Sequence, residues 1–139
     1  MSVAKPYPPI GIPELDAEHQ ALGATLRRVL KAMSEDDRAG SVALGRELVE
    51  RAEAHFRHEE ALMREIGYAR RLRHARAHAD FVAEAKRELR KAVTHGLSVD
   101  VLRWAGHLDQ WFHNHVVTED LWLAHALQRA RSAEALPAK

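Results

Sequence analysis

Leu44 to Ile66 reads LGRELVERAEAHFRHEEALMREI. Leu44, Leu48, Ala52, His55, Phe56, Glu59, Leu62, Met63 and Ile66 recur there at intervals of three and four, the period of an α-helix with one buried face. His55 and Glu59 are four apart, so both leave the helix on the side that carries Phe56 and Met63. An imidazole or carboxylate buried without a partner is costly, so this stripe calls for something that compensates both groups. The stretch therefore predicts a helix and, on its inner face, a polar centre.

Outward from it the same period continues. Ser41 is the expected cap of this second helix and Gly67 its end. A third helix is predicted from about Arg70 to Val93, with His74, His78, Phe81, Ala85 and Leu89 aligned and Gly96 closing it. His74 and His78 repeat the four-residue spacing. Ser98 is expected to cap a fourth helix from Val99 to about Arg131, through Leu102, Leu108, Trp111, Phe112, His115, Val116, Leu123 and Leu127. Upstream, Asp16 is the expected cap of a first helix from Ala17 to about Met33, whose Leu22, Leu26, Val29, Leu30 and Met33 share a face with His19. Ser34 to Asp37 with Gly40 make the first turn. Four helices joined by short connections predict an all-α, antiparallel up-down-up-down four-helix bundle. Pro6, Pro8, Pro9 and Pro13 predict an extended arm over residues 1–13, ahead of a bundle over about 14–132 and a short tail at 133–139.

The chain of 139 residues suits a single domain. Its 21 basic and 20 acidic residues interleave to a net charge of +1, so no basic face favours a nucleic acid. No apolar run approaches the roughly 20 residues that cross a bilayer, and the first residues lack the apolar segment of a signal peptide, so the expected setting is a soluble monomer in the cytoplasm. There is no cysteine, which leaves nitrogen and oxygen as the metal donors. Ten histidines are far more than a surface needs.

One histidine on an apolar face is more often a hydrogen-bonded core residue than a ligand. Four helices that each contribute such groups reverse that preference. On the fourth, His115 is followed by Glu119 and Asp120. At about 100° per residue Glu119 falls beneath His115 and Asp120 lies further round, yet both ends of that arc can face the core, and spacing leaves the choice open. Five imidazoles with two carboxylates are too many for one tetrahedral ion and suit iron, manganese or zinc, with two metals the natural count. Five nitrogens divide unevenly between two metals and leave one of them short of six ligands.

These segments resemble the hemerythrins, bacteriohemerythrins in particular. GIPELDAEH from Gly11 to His19 is similar to the family's opening pattern, and HFRHEEALM from His55 to Met63 to its second. Tyr68, His74, His78 and Phe81 are similar to its third, and WFHNHVVTED from Trp111 to Asp120 to its last. The resemblance implies Asp120 rather than Glu119 as ligand. It implies one iron on His74, His78 and His115, a second on His19 and His55, Glu59 and Asp120 bridging them with an oxo or hydroxo group, and dioxygen taken up at the open position of the two-histidine iron. Small anions such as azide would occupy that position in the oxidised form. Phe56, Met63, Trp111 and Phe112, within about a turn of ligands, are expected to wall it, with Thr118 a weak point if it faces in. The chain departs from many relatives in having Tyr7 among prolines where they carry a Trp.

Reversible binding of dioxygen for carriage, storage or scavenging is thus the expected function, without enzymatic turnover. A ferritin-like di-iron oxidase would need Glu-x-x-His pairs, and none of the histidines has a Glu three residues before it. A sensor of oxygen, nitric oxide or iron would act through a separate partner. His58, His95, His107, His113 and His125 are expected at the surface or boundary, as is the run Arg70, Arg71, Arg73 and Arg76. Trp104 and Trp122 are expected in the core or at its boundary.

Overall fold

The computed structural model describes residues 6–135, most of them helical, with no strand among them. Helix α1 spans Pro13–Ser34, α2 Arg38–Glu65, α3 Arg71–His95 and α4 Val99–His115. A π-helical turn, Val116–Asp120, then joins α4 to α5, Leu121–Ala135. Helix α1 packs on α2 and α4, and α3 packs on the same two, so the four pack as a helical bundle. Leu22, Leu26, Leu48, Phe56, Phe81, Phe112, Leu123 and Leu127 belong to one buried core. None of the described helices is long and apolar enough to cross a membrane.

Two helix starts differ from expectation, each for a local reason. Helix α1 begins at Pro13, whose missing amide is no loss in a first turn, so Asp16 lies inside the helix. Its carboxylate instead accepts from the amides of Ile10 (2.7 Å) and Gly11 (3.2 Å), pinning the chain that enters the helix. Helix α2 starts three residues before Ser41: Asp37 caps it by accepting from the Gly40 amide (2.9 Å), and the Ser41 hydroxyl, buried, donates to the Asp37 carbonyl (2.6 Å). Gly67 and Gly96 end α2 and α3 with φ of +61° and +81°, where a side chain would be strained. Ser98 caps α4 as expected.

The segment before α1 does more than run over the surface. Residues 1–5 lie outside the described residues, as do 136–139, which take most of the expected tail. Tyr7, Ile10 and Ile12, however, are buried in the core. Tyr7 donates its hydroxyl to Asp109 on α4 (3.1 Å), and burial, with the Asp109 charge, pushes its ionisation well up. Leu102, expected on the inner stripe, is exposed, and Val101 takes the buried place. Trp122 is also exposed, with the Arg70 guanidinium 4.4 Å from its ring centre.

A π turn follows His115 where a regular α-helical period was expected. A wider turn takes more residues to return to one face, so Asp120, five after His115, comes back beneath it. Asp120 is fully buried, and the Glu119 side chain points aside at 15% exposure. Deleting the exposed Thr118, whose hydroxyl donates outward to the Asn114 carbonyl (2.6 Å), would leave His115 and Asp120 four apart in a plain α-helix and on the same face. The deletion variant is expected to keep its helix content and bind metal like the parent, by circular dichroism and metal analysis. Loss of metal would show that the π turn does more than set this register.

Candidate metal centre

Seven side chains from all four helices converge in the core: His19 from α1, His55 and Glu59 from α2, His74 and His78 from α3, His115 from α4 and Asp120 from the π turn. They form two overlapping groups able to hold a metal. Glu59, His74, His78, His115 and Asp120 make one, and His19, His55, Glu59 and Asp120 the other. Only the two carboxylates are shared, and each divides its oxygens. Glu59 Oε1 lies 3.1 Å from His78 Nε2 and 3.4 Å from His74 Nε2, whereas Oε2 is 3.3 Å from His55 Nε2. Asp120 Oδ1 lies 3.1 Å from His74 Nε2 and 3.2 Å from His115 Nε2, and Oδ2 is 2.9 Å from His19 Nε2.

These distances suit hydrogen bonds, yet the geometry of most does not. Both oxygens of Glu59 and of Asp120, and both ring nitrogens of His19 and His74, are buried with no aligned hydrogen-bond partner. Two donors at about 2.1 Å from one ion and at right angles to each other lie about 3 Å apart, and their lone pairs aim at the ion rather than at each other. The Nε2 atoms of His78 and His115, 3.2 Å apart, fit the same pattern. Buried polar atoms left unpaired in this number are what a metal would satisfy, so the residues fit the group. Imidazole with carboxylate is the donor set of non-haem iron, manganese or zinc.

The outer nitrogens are held as well. Glu18, next to His19 in sequence, lies with Oε1 2.6 Å from His55 Nδ1 and Oε2 2.7 Å from His58 Nδ1. Glu60, next to Glu59, lies 3.0 Å from His78 Nδ1. Glu119, next to Asp120, reaches only to 4.0 Å from His74 Nδ1. Glu18 is lowered in pKa, because its hydrogen bonds to His55 and His58 outweigh the burial that raises it. An ionised carboxylate can only accept, so Nδ1 carries a proton in these rings and Nε2 is the nitrogen left to face inward. The sequence reading missed Glu18 and Glu60. Their adjacency to ligands was the available signal, since each residue beside a core-facing one lies at the helix flank, against a neighbouring helix.

The four aromatic and sulfur residues expected around the open position are placed unevenly. Phe56 stacks on His78 (3.9 Å between ring centres, 7° between planes) and Trp111 on His115 (4.8 Å, 10°), both histidines of the larger group. Phe112 packs against Tyr7, Phe81 and Trp111, and Met63 is fully buried. Thr118 is exposed and turned outward. Among the remaining histidines, His58 alone is drawn to this centre, through Glu18.

A sequence model of the hemerythrin HHE cation binding domain matches residues 10–127. The chain belongs to the hemerythrin HHE family. Neither a curated protein nor a solved structure matches it. The match takes in all seven converging residues, so the hemerythrin-type metal-binding domain and the buried cluster are one and the same part of the chain.

Protons occupy this hemerythrin-type centre when metal does not. Burial lowers the His55 pKa, but Glu59 and Glu18 outweigh it and push it up to about 10. His74 likewise loses to burial and gains more from Asp120 and Glu59, reaching about 9. The carboxylates move the other way: burial raises Glu59, yet His55 and the other histidines hold it well below the usual range. Raised histidines stabilise the metal-free fold below their ordinary pKa, and that contribution is lost as pH climbs through about 9 to 10. Metal needs the neutral imidazole, so binding at pH 7 is expected to release at least the protons of His55 and His74, with His19 raised as well, and to tighten with rising pH. Calorimetry in buffers of different ionisation heat measures the release. Affinity independent of pH between 6 and 9 would contradict it.

Proposed function

We propose that the chain binds dioxygen reversibly at a pair of irons, for carriage, storage or scavenging. The observation that carries this reading is the division of Glu59 and Asp120, each giving one oxygen to a three-histidine group and the other to a two-histidine group. His74, His78 and His115 would hold one iron, His19 and His55 the other, with both carboxylates and an oxo or hydroxo group between them. Counted this way, the first iron has six ligands and the second five. The iron pair, when bound, supplies the two electrons and the open position that dioxygen requires.

The residues do the rest. Glu18 and Glu60 orient His55 and His78, keeping the donor nitrogens aimed inward before metal arrives. Phe56, Met63, Trp111 and Phe112 exclude water and its protons from the apolar side of the centre. The short connections favour an antiparallel up-down-up-down order, which lets four helices present ligands at one level. Nitrogen-rich ligation supports reversible binding over oxidase chemistry, and an oxygen, nitric oxide or iron sensor acting through a separate partner is the second reading, favoured by the outward link from His55 through Glu18 to half-exposed His58. A monomer in the cytoplasm is the setting we propose. The test is cycling between argon and oxygen. The iron absorption should change and return over repeated cycles, and azide should bind the oxidised protein at one per chain. Irreversible oxidation in the first cycle, or two azides per chain, would overturn the reading.

A further inference from the structure

Away from the metal centre, the turn between α2 and α3 and one face of α5 enclose a cleft of about 430 Å³. Its size lies within the range of small-molecule sites. Ile66, Ala126 and Ala130 give it an apolar floor, Trp122 an exposed aromatic wall, and Arg70, Arg129 and His125 a polar rim. Arg73 and Arg131 nearby have carboxylates, Glu119 at 3.8 Å and Glu14 at 2.6 Å. Arg70 and Arg129 have none within ion-pair distance among the described residues; Arg70 lies instead over the Trp122 ring.

Two further features give the cleft a positive sign. No acidic residue occupies the first turn of α3, which starts here, and Arg70, its N-cap, makes no side-chain cap, so the positive helix end is uncompensated. No carboxylate lines the cleft. Two guanidiniums without a carboxylate partner and an exposed aromatic ring together describe a ligand with both an oxyanion and a flat apolar body.

We propose that this cleft binds a small planar organic anion, its carboxylate or phosphate held by Arg70 and Arg129 and its ring laid against Trp122. The guanidinium already over Trp122 shows that the ring accepts a flat group on its face. The site is distinct from the iron-ligating groups: Trp122 and Arg129 lie beyond the last ligand, Asp120, on α5.

The probe is 2-naphthoate, titrated by calorimetry into the iron-loaded protein while the iron absorption is followed. Saturation at one per chain with the iron bands unchanged is expected. Arg129→Ala and Trp122→Ala should each weaken it about tenfold or more, the loss of a charge-assisted bond or of a stacked face, with helix content and iron content unchanged because both side chains are exposed. The neutral alcohol 2-naphthylmethanol should bind at least about tenfold more weakly than the anion. Absence of saturation in the millimolar range, affinity unchanged in both variants, or iron bands that shift in step with binding would overturn the proposal.

Discussion

His74→Ala is expected to lose metal from the three-histidine group and to destabilise the fold by roughly 3–5 kcal/mol, the scale of removing one partner from a buried set of charges. His74 is fully buried and is the histidine whose Nε2 lies closest to both shared carboxylates at once, at 3.4 Å from Glu59 and 3.1 Å from Asp120, where His19 Nε2 lies 3.8 and 2.9 Å from them. Without it, two buried carboxylates lose a neighbour that compensates them whether the centre holds protons or metal. The cavity left by the ring adds to the cost. Because binding and folding are linked, the loss should be larger for the loaded protein than for the metal-free one. Chemical denaturation of both forms with metal analysis measures this, and a variant with parental metal content would contradict the role of His74.

Trp111→Ala is expected to leave the metal in place and to speed oxidation of the reduced protein by on the order of tenfold, through the loss of a water-excluding wall. The indole stacks on His115 and on Phe81 (4.5 Å, 29°), so it both covers a ligand and ties it to the core. It ligates nothing, which is why metal content should hold. Trp111 stacks on a histidine of the three-histidine group, and Phe56 stacks on another and also packs against His55 (5.8 Å between ring centres). Following the reduced protein in air gives the rate. A parental rate would move the wall elsewhere.

Helical spacing alone carried most of the fold. Leu22, Leu26, Leu48, Phe56, Phe81, Leu108 and Leu127 fell on the faces expected of them and are buried. The helix starts were less legible, because Asp16 and Ser41 are good capping residues that here serve other bonds, one to the entering chain and one to the preceding carbonyl. Leu102 misled for a related reason: at the start of α4, Val101 and Leu102 both fit a stripe, and only the packing of α4 on its neighbours decides which turns in.

The candidate site was legible in its residues but not in its register. Regular spacing put His55 beside Glu59 and His74 beside His78, while the last carboxylate depended on a π turn that no fixed period describes. Resemblance to hemerythrins supplied Asp120, whose side chain is buried. Glu18, Glu60 and His58 could not be found by following the buried stripe, since they sit beside it and act on ligands of a neighbouring helix or, for His58, through Glu18.

The most direct test of the central claim is the metal content of the protein purified after expression with iron. The two groups that share Glu59 and Asp120 predict two irons per chain, falling together when either carboxylate is replaced by its amide. One metal per chain, or zinc alone in iron-replete medium, would contradict it.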